Sequence, residues 1–122
     1  MARILVIDDD NMFRGMLKLL LGEEGYDVVE ADDGLSGIKK FQQSCPDLVI
    51  CDLIMPDKEG LETIQELQRL NHKVPIIAVS GGGEAGPGTY LELAKAMGAR
   101  KAFSKPFIPR TFVEEVIDCI KS

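Results

Sequence analysis

Several features that would each assign a role are missing from this sequence. Only three of its 122 residues are cysteines, Cys45, Cys51 and Cys119. They stand far apart and form no Cys-x-x-Cys, so neither a disulfide framework nor a zinc site follows from them. Buried, reduced thiols in a cytoplasmic protein are the expectation. Basic charge is not in excess: Lys and Arg number 14 against 20 Asp and Glu, a formal net charge of −6. A polyanion is repelled by nucleic-acid phosphates and by anionic membranes, which argues against direct nucleic-acid binding by this chain. No apolar run approaches the roughly 20 residues that span a bilayer, so no membrane insertion is expected. The N-terminus runs straight into a strand-like segment, and no signal peptide is visible. The single histidine, His72, sits in a polar Asn-His-Lys stretch with no second imidazole to share a metal. No Gly-Lys-Ser/Thr occurs, so a Walker A loop is absent.

What is present is enough apolar residue, 45%, to build a core in a chain of one-domain length. Short β-branched runs occur at residues 4–7, 28–29, 48–51 and 74–79, with a weaker one at 102–103. Such runs read as parallel strands buried on both faces. Between them lie amphipathic patterns. Residues 11–24 carry Phe13, Leu17, Leu20 and Leu21 on one face, and Gly25 suits a helix stop. Leu35, Ile38 and Phe41 are expected to share the inner face of a second helix, and Leu61, Ile64 and Leu67 that of a third. A fourth begins near Pro87, and a fifth carries Val113, Val116, Ile117 and Ile120. Five β–α units predict a doubly wound parallel α/β sheet in flavodoxin-like order 2-1-3-4-5.

In such sheets ligands bind beyond the carboxyl ends of the strands. Asp8, Asp9 and Asp10 follow the first strand, Asp52 the third, Ser80 the fourth, and Ser104 and Lys105 the fifth. The first and third strands are neighbours in the expected order, so their acidic ends converge. Converging carboxylates raise one another's pKa unless something neutralises them. Magnesium, which takes oxygen ligands and commonly uses one or two carboxylates, suits Asp8 or Asp9 with Asp52. A carboxylate can also serve as a nucleophile towards phosphorus. Lys105 and Ser80 would then supply charge and a hydroxyl to the phosphoryl oxygens.

Four segments together resemble the response-regulator receiver domains of the CheY-like superfamily. They are Ile-Leu-Val-Ile-Asp-Asp-Asp at 4–10, Asp-Leu-Ile-Met-Pro at 52–56 with Gly60, Pro-Ile-Ile-Ala-Val-Ser ending at Ser80, and Lys-Pro-Phe at 105–107. The resemblance covers the whole chain, residues 1–122, as one stand-alone receiver domain. It implies that Asp52 accepts a phosphoryl group from a phosphohistidine on a sensor histidine kinase or histidine phosphotransfer protein. It implies Mg²⁺ held by Asp8, Asp9, Asp52 and the carbonyl of Ile54. Ser80, Gly81 and Lys105 would contact the phosphoryl group, and the Lys105–Pro106 peptide is often cis in such domains. The domain would not be an enzyme beyond its own phosphorylation and dephosphorylation. Since the fifth helix reaches the end of the sequence, output is expected through a partner protein in the cytoplasm.

Three features depart from that pattern. Ala102 stands where the family usually has Tyr or Phe, so the usual aromatic coupling is in question. Phe103 is adjacent, but neighbouring strand residues point to opposite faces. The glycine-rich stretch at 81–88 reads either as a switch element or as a loose surface loop. Ile54 and Gly82 stand at positions that, by the resemblance, tune how water reaches the phosphoryl group in the family. Two further readings stay open. Asp8-x-Asp10 after an apolar strand resembles the first motif of haloacid-dehalogenase-like phosphatases, which would make Asp8 the nucleophile, although Met12 stands where those enzymes carry Thr or Val. A degenerate, phosphate-independent receiver acting as an interaction module is the other. The Gly-x-Gly-x-x-Gly at 81–86 follows the wrong strand for a dinucleotide fingerprint.

Overall fold

In the computed structural model, which describes residues 2–53, 60–81, 87–105 and 107–121, each apolar run forms a strand and each amphipathic run a helix. In chain order they are β1 (Arg3–Ile7), α1 (Asn11–Glu23), β2 (Asp27–Ala31), α2 (Gly34–Ser44), β3 (Leu48–Asp52), α3 (Gly60–Leu70), β4 (Ile76–Ser80), α4 (Pro87–Ala96), β5 (Lys101–Ser104) and α5 (Pro109–Lys121). All strand pairs are parallel, and the sheet order is β2-β1-β3-β4-β5. This is the flavodoxin-like order that five β–α units predict.

Strand alternation divides the core into two layers. Ile4, Val6, Ile50, Ile77 and Val79 pack with Leu17, Leu21, Phe112 and Val116 of α1 and α5. Leu5, Ile7, Val49, Cys51 and Ala78 pack with Phe41, Ile64, Leu67 and Ala94 of α2, α3 and α4. β3 and β4 are buried at every position. β2 and β5 are not, because edge strands have only one neighbouring strand to cover them. The expectation of burial on both faces therefore holds for the inner strands alone.

Helix starts are set by capping. Asp10 accepts N–H bonds from Met12 and Phe13, and Asp33 accepts one from Ser36, satisfying donors that open a helix without partners. At the other end of α1, Gly25 takes φ +93°, the left-handed turn expected of a stop residue.

Two expectations are corrected. Leu35 is 62% exposed; the inner face of α2 is instead Gly34, Gly37 and Phe41, with Ile38 packed beside them. The helix lies so close to β1 that a Cβ on Gly37 would fall 2.5 Å from Ile7 Cδ1, which turns the face by about one position. Cys45 is not buried but exposed, because it caps α2 in the left-handed conformation at φ +48° and faces outward. Cys51 and Cys119 are buried.

Gly60 opens α3 directly against the end of β3. A Cβ there would lie 2.1 Å from the Asp52 carbonyl oxygen and 2.4 Å from Leu53 Cα. Its N–H donates to the Leu53 carbonyl at 3.0 Å. Backbone cannot yield as a flexible side chain can, so only glycine fits. Gly60→Ala is expected to cost about 1–3 kcal/mol in urea unfolding; a loss within experimental error would contradict this close approach. A second expectation concerns the thiols. Burial pushes the Cys51 and Cys119 ionisations above the usual thiol range, and for Cys51 the charges of Asp52 and Asp8 push further. Cys45 alone should react with Ellman's reagent in the native protein. Raising the pH through the usual thiol range should leave Cys51 unreactive until unfolding, and rapid loss of two thiols would overturn the assignment.

Candidate functional site

Register brings the acidic ends together. Ile7 of β1 pairs with Cys51 of β3, so Asp8 and Asp52, each one residue further, leave neighbouring strands side by side. This is where strand order reverses, β1 leading outward to β2 and β3 returning on its other side. One carboxylate oxygen each from Asp8, Asp9 and Asp52 lie within 4.8 Å of one another. Asp8 is 1% and Asp52 5% exposed, while Asp9 is open to solvent. Ser80, fully buried, ends β4 opposite Ser104 of β5. The Lys105 N–H donates to the Ser80 carbonyl at 2.7 Å, tying the lysine to the serine strand end.

Lys105 crosses the sheet edge to reach the acids. Its Nζ donates to Asp8 Oδ2 at 3.0 Å. The other oxygen, Oδ1, accepts the Asp10 N–H at 2.9 Å. Burial pushes the Asp8 carboxyl above the usual carboxylate range; the Asp10 amide and the Lys105 ammonium pull it back, and the Asp9 charge adds to the rise. Desolvation outweighs these partners, so the ionised acid is undercompensated. Two buried carboxylates and one exposed one, all oxygen donors at close quarters, fit a hard divalent cation better than a soft one.

Asp8, Asp9 and Asp52 thus gather at the carboxyl ends of β1 and β3, with Lys105 bonded to Asp8, and with Ser80 at the end of neighbouring β4. Asp10 instead serves as the α1 cap, and Gly81 is exposed just past Ser80. Ile54, Gly82 and Pro106 lie outside the described residues. Ala102 faces the α2, α3 and α4 layer and Phe103 the α1 and α5 layer, so Phe103 does not occupy the side vacated by the missing aromatic.

Two participants carry no sequence signal. Arg14 donates from Nη1 to the Asp8 carbonyl at 2.7 Å and from Nε to Glu30 Oε1 at 3.1 Å, binding α1 and β2 to the Asp8 backbone. In sequence it reads as an ordinary surface cation of an amphipathic helix. Phe13 places its ring beneath Lys105, the Nζ 3.9 Å from the ring centroid; in sequence it reads as core.

The sequence matches the response regulator receiver domain family over residues 4–117. It is 34% identical over 113 residues to the chemotaxis protein CheY of Thermotoga maritima, covering 92% of each chain. It is 31% identical over 120 residues to CheY of Bacillus subtilis, covering 97% of this chain and 93% of that one. Among solved structures, the CheY-like receiver domain protein of Methanospirillum hungatei superposes with a TM-score of 0.91 at 27% identity, covering 99% of this chain and 94% of the other. A match over nearly the whole chain, on the strand order and strand-end acids described above, makes this a member of the response regulator receiver domain family, the CheY-like receiver of two-component signalling.

Proposed function

We propose that residues 1–122 act as one receiver domain in which Asp52 accepts a phosphoryl group from a phosphohistidine donor, with Mg²⁺ at Asp8, Asp9 and Asp52. The observation that carries this is the juxtaposition of buried Asp8 and Asp52 with the Lys105 ammonium 3.0 Å from Asp8. An Asp52 carboxylate oxygen attacks phosphorus, the P–N bond breaks, and the imidazole leaves with its nitrogen lone pair. Bound Mg²⁺ supplies positive charge to the carboxylates and to the phosphoryl oxygens. Lys105 stands ready to exchange Asp8 for a phosphoryl oxygen, and Ser80, one strand over, offers its hydroxyl. The donor would be a sensor histidine kinase or a phosphotransfer protein, and a partner protein would read the altered surface.

Asp52 is favoured over Asp8 as nucleophile because the chain belongs to the receiver family, whose acceptor motif the resemblance places at Asp52. Met12, where haloacid-dehalogenase-like phosphatases carry Thr or Val, weighs against that reading. The phosphate-independent module keeps one supporting observation, Ala102 at the usual aromatic position. Among the described residues no helix is long and apolar enough to cross a membrane; the cytoplasmic location is part of the proposal and rests on the family membership.

Incubation with acetyl phosphate and Mg²⁺ should add one phosphoryl group, seen by mass spectrometry, and Asp52→Asn should abolish it. Labelling of Asp52→Asn at the wild-type level, or turnover of exogenous phosphomonoesters, would defeat the proposal. Lys105→Ala should leave Mg²⁺ binding nearly intact yet slow uptake by about a hundredfold, the usual loss when one charge-stabilising donor is removed.

A further inference from the structure

Lys105 is held by more than its ion pair. Its Nζ lies 3.9 Å from the Phe13 ring centroid while it donates to Asp8 at 3.0 Å. A lysine is a point charge on a flexible stem, and this side chain keeps 21% exposure, so solvent-facing rotamers compete with the buried one. An ammonium above a ring face is attracted by the negative face of the ring. The ring itself is fixed. Its backbone N–H is tied to the Asp10 cap at 3.2 Å. Its edge meets Phe107 at 5.7 Å and 71°. Phe107 stacks on Phe112 at 4.3 Å and 12°, and Phe112 is 1% exposed within the α1 and α5 core. Edge-to-face and offset-stacked pairs are the favoured aromatic arrangements. The chain of rings therefore runs from the core of α5 to the underside of the lysine.

We propose that Phe13 is a positioning residue, whose ring, buttressed by Phe107 and Phe112, holds the Lys105 ammonium over the acidic pocket and so presents it to phosphoryl oxygens at Asp52. The inference rests on the phosphoacceptor reading above. A merely structural Phe13 would matter through volume; a positioning Phe13 matters through its ring face.

The test uses the full chain with saturating Mg²⁺ and beryllofluoride as the phosphoryl mimic, its affinity read from amide shifts. Phe13→Leu should weaken beryllofluoride binding by about three- to tenfold, while Phe13→Tyr, which keeps the ring, should stay within about twofold. A ring-fluorinated phenylalanine at position 13, equal in shape but with a depleted ring face, should behave like Leu, and it decides the matter if Phe13→Leu does not fold. Affinity for Mg²⁺ alone should be unchanged in all of them. In the free protein, the methylene protons beside Lys105 Nζ should be shifted upfield by the ring in the wild type and in Phe13→Tyr, and not in Phe13→Leu. Equal beryllofluoride affinity in wild type, Phe13→Leu and the fluorinated protein would overturn the proposal alone. A wild type that takes up no beryllofluoride would remove the phosphoacceptor reading and this proposal with it.

Discussion

Like charges held side by side in a poorly hydrated place repel, and the fold forces this on Asp8 and Asp52. Parallel pairing of β1 with β3 fixes their spacing, and the core beneath them fixes their burial. Neither acid can retreat into solvent without disturbing the strand that carries it. The surrounding devices read as responses to that constraint. The Asp10 amide and the Lys105 ammonium each take one oxygen of Asp8. Arg14 grips the Asp8 carbonyl from α1. Even with these partners the Asp8 carboxyl stays above its ordinary range. A pocket short of positive charge suits a hard cation, which is what the proposed phosphoacceptor role requires.

The same packing that creates the constraint also supplies its reach. Lys105 follows the edge strand β5, at the far side of β4 and β3 from Asp8. Only a long side chain spans that distance, and a long side chain needs something to lie against. The α1 and α5 layer provides it in Phe13 and the rings behind it. Among the described residues the ring that meets Lys105 is Phe13 of α1, backed by Phe107 and Phe112; Ala102 on the opposite layer offers no ring.

Much of this was legible in the residues. Apolar β-branched runs separated by amphipathic ones give five β–α units, and their order follows from crossover handedness. The position of Asp8, Asp52, Ser80 and Lys105 at strand ends is a consequence of that order. What escaped has a common cause: it depends on distances between elements, not on spacing along one. Leu35 turns outward because Gly37 lets α2 settle against Ile7, and the helical period alone cannot register an approach of that kind. Cys45 is exposed because the chain turns left-handed at the end of α2. Arg14 and Phe13 acquire roles only when α1 lies over the end of β1. Gly60 was visible as a motif residue, yet its reason, the Asp52 backbone beneath it, is tertiary.

On the proposed function, one pocket, built on Asp8 and Asp52 with Ser80 and Lys105 beside them, responds as a unit when a phosphoryl group occupies it. A comparison of amide NMR spectra of the Mg²⁺-loaded protein with and without beryllofluoride tests this most directly. The expected result is a set of large shifts at the carboxyl ends of β1, β3, β4 and β5, extending along α1 and α5 and absent from Asp52→Asn. Spectra that coincide, or shifts that persist in Asp52→Asn, would contradict it.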